Sequence, residues 1–188
     1  MVLRNLFGGH DETTSASATT GASTASGAES ESIRRISGEL GALPLEERRY
    51  VAGFAYVLAR AAHADLHISS VELAYMEQAV VKVGGLTEGQ AVLVVEMARN
   101  MAELYGPTDD YVVTREWART ATRQQREDLL RTAFAVGAAD DSITAAEVAE
   151  LNEIGKELGF PAEAVDAIRN EFKDQLAAIQ AMRAARGA

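Results

Sequence analysis

Two stretches of this chain, AHADLHISSVE at 62–72 and GAADDSITAAE at 137–147, are versions of one another. Both reduce to Ala-Asp-x-x-Ile-(Ser/Thr)-x-x-Glu. Each follows an amphipathic, arginine-containing segment and precedes one that closes at glycine, Gly84 in the first copy and Gly159 in the second. A duplicated helix-loop-helix unit is the simplest account, and it commits the chain to packing helix pairs against one another.

Composition agrees with that commitment. Among 188 residues, 47% are apolar, enough to fill one sizeable core. Aromatics make up only 6% and there are three prolines, so the bulk of the apolar material consists of helix-forming residues. The expected fold is all-α, a single bundle of about seven helices.

Local signals place those helices. Pro44 and Glu46 suit a first turn leading through Val51, Phe54, Ala55, Leu58 and Ala62, spaced by three and four. Ser69 with Glu72, Thr122 with Gln125 and Thr144 with Glu147 have the capping-box spacing, in which hydroxyl and carboxylate or amide satisfy each other's backbone N–H groups. Thr87 opens a segment that runs to Tyr105 and stops at Gly106-Pro107. A shorter helix from Asp109 or Asp110 carries Trp117. Pro161 starts the last helix, through Val165, Ile168, Phe172, Leu176 and Ile179.

Asp11 to Ser32 contains almost nothing large and apolar, so residues 1–32 are expected to be a flexible tail ahead of a domain at 33–182, with a short tail at 183–188. The tail leaves Val2, Leu3, Leu6 and Phe7 as a tethered apolar tip, suited to a protein groove or a peripheral membrane contact.

The net charge of −10 should repel phosphate backbones, so nucleic acid is not an expected partner. The absence of cysteine removes disulfides, thiolate metal sites and cysteine nucleophiles. There is no apolar run long enough to span a bilayer, and the opening MVLRNLFGGH has too short an apolar stretch for a secretory signal. A cytoplasmic setting is the expectation.

Within the repeat, the isoleucine plugs the loop into the core and the glutamate completes the cap; neither role needs a ligand. Capping does not call for Asp65 and Asp140, each seven residues before its glutamate, Glu72 and Glu147. Aspartate, buried isoleucine, hydroxyl and glutamate in that order resemble the latter half of a calcium loop. Its earlier acidic ligands are missing: Ala61 and His63 stand there in one copy, Val136 and Ala138 in the other. A standard EF-hand is therefore excluded, leaving two readings: loop-fixing residues alone, or a weak divalent-cation site, calcium or similar, at Asp140, Asp141 and Glu147 with Asp65 and Glu72 as the second copy.

At this motif the chain resembles the TerB-like tellurite-resistance family, which includes the N-terminal domain of the DjlA co-chaperone. The resemblance rests on Ala-x-Ala-Asp65 with Ile68-Ser69-x-x-Glu72, on Ala138-Ala139-Asp140 with Ile143-Thr144-x-x-Glu147, and on Gly159-Phe160-Pro161. It covers roughly residues 45–175. It implies an all-α bundle associated with tellurite and other chemical stress, whose acidic residues are candidate divalent-cation ligands. In that family a glycine usually follows the aspartate; here Leu66 and Asp141 stand in its place. Aspartate tolerates a left-handed turn better than leucine does, so the second loop is the better candidate.

Other constellations are weaker. His63, Asp65 and His67 could face zinc or nickel, but the second copy has no histidine and two exposed loop histidines explain the pattern as well. Arg115, Arg119, Arg123 and Arg126 are interleaved with Glu116, Glu127 and Asp128, the mark of a solvated face. No phosphate loop or serine elbow is present, and nothing sets a second carboxylate opposite the first for acid-base chemistry. The sequence therefore reads as a binding or scaffolding module rather than an enzyme. Its rival form is a metal-independent interaction module with a protein partner.

Overall fold

The computed structural model describes residues 23–61, 70–105, 111–139 and 141–187. Among them are nine helices: α1 Ser23–Ala42, α2 Leu45–Ala61, α3 Ser70–Lys82, α4 Glu88–Tyr105, α5 Tyr111–Thr120, α6 Arg123–Gly137, α7 Ala145–Glu157, α8 Ala162–Glu171 and α9 Ala177–Gly187. There is no strand among the described residues, and the sole β-type pairing is an isolated bridge between Ile143 and Leu176. The expected all-α class holds, and the count rises from about seven to nine.

The two additional helices have separate origins. α1 begins at Ser23, inside the polar stretch. The long last helix expected from Pro161 is instead two, α8 and α9, separated by turns at 172–175. The chain divides into a unit through Arg35 and a second from Ile36 that carries all the helices from α2 onward.

Two of the three capping boxes read from sequence are formed. Thr122 and Gln125 close a capping box on α6, and Thr144 and Glu147 close one on α7. A further box joins Thr87 and Gln90 ahead of α4, with Gln90 N to Thr87 Oγ1 at 3.3 Å and Thr87 N to Gln90 Oε1 at 3.1 Å. Ser69 lies outside the described residues. The helices that follow the repeat loops end alike: Gly85 has φ 70° and Gly159 φ 82°, left-handed positions where a side chain would be strained. Leu86 and Phe160 then turn into the core.

α2 is the centre of the second unit. It packs most extensively on α4, then on α6 and α5, while α3 packs on α4 and α6. Phe54, Leu58, Met76, Leu129, Leu130 and Phe134 of these helices are fully buried, as are Leu151 and Ile154 of α7. Trp117 of α5 lies across Gly53 of α2, stacks on Tyr50 at 5.5 Å, and donates from Nε1 to the Tyr50 carbonyl at 3.1 Å. α7 and α8 approach closely at Gly155, where an added Cβ would stand 2.6 Å from Val165 Cγ2.

Candidate functional site

The second repeat loop is built from the end of α6 onward. α6 closes with Ala138 donating to the Phe134 and Ala135 carbonyls, and Asp141 N then donates back to the Ala138 carbonyl at 3.0 Å. That turn puts Asp141 at φ 65°, the one left-handed non-glycine position among the described residues. Asp141 thus takes the conformation that the glycine of a calcium loop supplies, at the same place in the pattern. Its side chain is on the exposed surface.

Ile143 follows with 1% exposure and anchors the loop in the core. Both of its backbone groups are used: its N–H donates to the Gln175 carbonyl at 2.7 Å and its carbonyl accepts from Ala177 N at 3.0 Å. Thr144 then caps α7, its Oγ1 accepting from Glu147 N at 3.2 Å while Glu147 Oε2 accepts from Thr144 N at 2.7 Å. One oxygen of the glutamate is therefore committed to the cap. Val136 and Ala138, at the positions of the missing acidic ligands, are each 7% exposed.

Of the candidate ligands, the structure describes Asp141 in the loop and Glu147 in the first turn of the helix that follows it, α7. Asp140 and Asp65 lie outside the described residues, as do His63 and His67. Glu72 belongs to the first turn of α3, and its side chain is not among those described. Among the described residues no group of three histidines or carboxylates stands close enough to hold a metal. Calcium takes roughly six to eight oxygens. Asp141 and Glu147, the described donors, do not make a complete calcium loop.

The strongest polar constellation was not evident from sequence. Arg60, in the last turn of α2, donates from Nη2 to Glu150 Oε1 at 2.7 Å and from Nη1 to Glu157 Oε2 at 2.5 Å and Thr114 Oγ1 at 2.9 Å. Its side chain and that of Glu157 are 14% and 10% exposed. Burial alone would lower the Arg60 pKa, but hydrogen bonds and charge from Glu157 and Glu150 outweigh it and the pKa is raised. The network ties the helix before the first repeat loop to the helix after the second. The available signal was a lone arginine inside Val57-Leu58-Ala59-Arg60-Ala61.

Two arginines of the α5–α6 face expected to be solvated do pair within their own helices, Arg119 with Glu116 and Arg123 with Glu127. Arg126 does something else. It donates to the Leu158 carbonyl at 2.7 Å, closing the end of α7, and lies over the Phe160 ring.

These features define an all-α module in which the helices from α2 to α8 share one core. Residues 52–170 match the family described as tellurite resistance protein TerB, and the chain belongs to that family. No curated protein and no solved structure matches it significantly.

Proposed function

We propose that this TerB-family domain is a non-catalytic binding module that holds a hydrated divalent cation, calcium or a similar ion, weakly at Asp140, Asp141 and Glu147. Asp65 and Glu72 would form the second copy. The setting is a cytoplasmic response to tellurite or related chemical stress, with the domain acting on a protein partner. The observation that carries this reading is the left-handed Asp141. A backbone strained by an acidic side chain at a glycine position is more readily understood if the carboxylate has work to do there.

The test is thermal melting of the chelator-treated chain with and without calcium, magnesium, manganese or zinc at millimolar concentration. An ion that prefers the folded state must raise Tm. Glu147→Gln retains the capping box, since glutamine serves at that position, and removes the charge. A shift in the parent chain that is lost in Asp140→Asn and in Glu147→Gln supports the site. No shift with any ion overturns it.

A second reading is favoured by the closed capping box, which uses Glu147 without any ion. On that reading the loops are structural, and the domain engages its partner through a helical groove together with the apolar tip at Val2 to Phe7, which lies outside the described residues. Pull-downs with and without residues 1–9 test the tip, and unchanged partners would remove it from the account. No helix among the described residues is long and apolar enough to cross a membrane.

A further inference from the structure

α9 is anchored differently from the other helices. From Gln180 to Ala185 every side chain is exposed, Met182 by 52%. An 11-residue helix without a buried face is marginal in water, so what orders α9 must act at its first turn. That turn and Gln175 just ahead of it are joined to the acidic loop by three hydrogen bonds. Ile143 N donates to the Gln175 carbonyl at 2.7 Å, Ala177 N to the Ile143 carbonyl at 3.0 Å, and Gln180 Nε2 to the Asp141 carbonyl at 2.8 Å.

Gln180 also donates to the Asp174 carbonyl at 3.1 Å, and Arg183 pairs with Asp174 at 2.7 Å, so the turn before α9 and its first two turns form one hydrogen-bonded piece. The residue at the centre of the contact is the one held left-handed. Asp141 presents its carbonyl to Gln180 in a backbone conformation that most side chains resist.

We infer that the acidic loop is a latch for the C-terminal helix: the backbone of Asp141–Ile143 holds α9 in place, and a change in that backbone releases α9 without unfolding the bundle. The latch follows from the hydrogen bonds whether or not a cation binds. Where the cation reading also holds, an ion at the acidic side chains would still the same backbone, and α9 becomes the element through which the site is read.

Hydrogen exchange of the full chain, followed in peptides covering 177–187, 123–137 and 51–61, tests this. The parent chain should protect 177–187 relative to an unstructured peptide. Gln180→Ala should speed exchange there by roughly tenfold while 123–137 and 51–61 are unchanged. Alanine is the better helix former, so faster exchange cannot come from propensity. Asp141→Val, which disfavours the left-handed backbone, should do the same from the loop side; if it loosens the whole domain, Gln180→Ala decides alone. An α9 unprotected in the parent chain, or unaffected by Gln180→Ala, overturns the latch. Calcium chloride added to the parent chain separates the two readings: slower exchange in 177–187 supports both, and no change counts against the cation site while the variants still decide the latch.

Discussion

The indole of Trp117 lies so close over Gly53 that a Cβ on that glycine would stand 1.8 Å from Cδ1. The contact joins α5 to α2 and seats the only tryptophan on Tyr50, whose carbonyl takes its N–H. Gly53→Ala should therefore cost about 3 kcal/mol, at the upper end for an overpacked core, although alanine is the better helix former. Chemical denaturation measures the loss, and a shifted tryptophan emission would localise it. Gly89→Ala, with open space around its Cβ, serves as the control and should gain up to about 1 kcal/mol.

Removing Arg60 leaves the largely buried Glu157 without its counter-charge. Arg60→Met is expected to cost about 3 kcal/mol, and the double variant Arg60→Met, Glu157→Leu should recover much of that, because what destabilises is the uncompensated charge. Urea melts of the two single variants and the double variant form the cycle. Additive losses would show that the pair is not coupled.

Tyr50 is pushed up to about 12 from 10.0, first by burial and then by the negative charge of Asp128. A folded-state pKa above the unfolded one means the native state holds this proton more tightly. The associated stability is complete below pH 10 and is lost as pH rises from there toward about 12. Tyrosinate absorbance should contain a late step that Tyr50→Phe removes, together with its share of the alkaline loss of stability.

The cost of the left-handed loop residue is measurable. Asp141→Gly should stabilise the domain by up to about 1 kcal/mol, and Asp141→Val should destabilise it by about 1–2 kcal/mol. Matched thermal melts give both. Equal Tm values for all three chains would mean that the turn carries no strain.

Thr144→Ala removes the hydroxyl that accepts from Glu147 N and should cost about 1 kcal/mol, while Glu147→Gln should be close to neutral in the absence of added ions. Urea midpoints for the two variants separate the structural use of the box from any use of its charge.

The features readable along the chain are those that short-range chemistry controls. The capping boxes at Thr122 and Thr144, the stops at Gly84-Gly85 and Gly159, and the alternation of apolar residues by three and four all act within a turn or two of the chain, so the helices from α2 to α7 stand close to where those signals put them. The acidic loop was legible for the same reason, including Asp141 at the family's glycine position. The remaining features depend on contacts between distant parts of the chain. Arg60 carries no local mark of its partners, because Glu150 and Glu157 are far along the chain and meet it only when α2 packs on α7. Periodicity runs on through Phe172 and Leu176 without a glycine or proline, yet the helix breaks there. The half-buried Phe172 stacks on Phe134 at 5.7 Å and Leu176 bridges Ile143, and stacking a ring while pairing a loop outweighs a few residues of helix propensity.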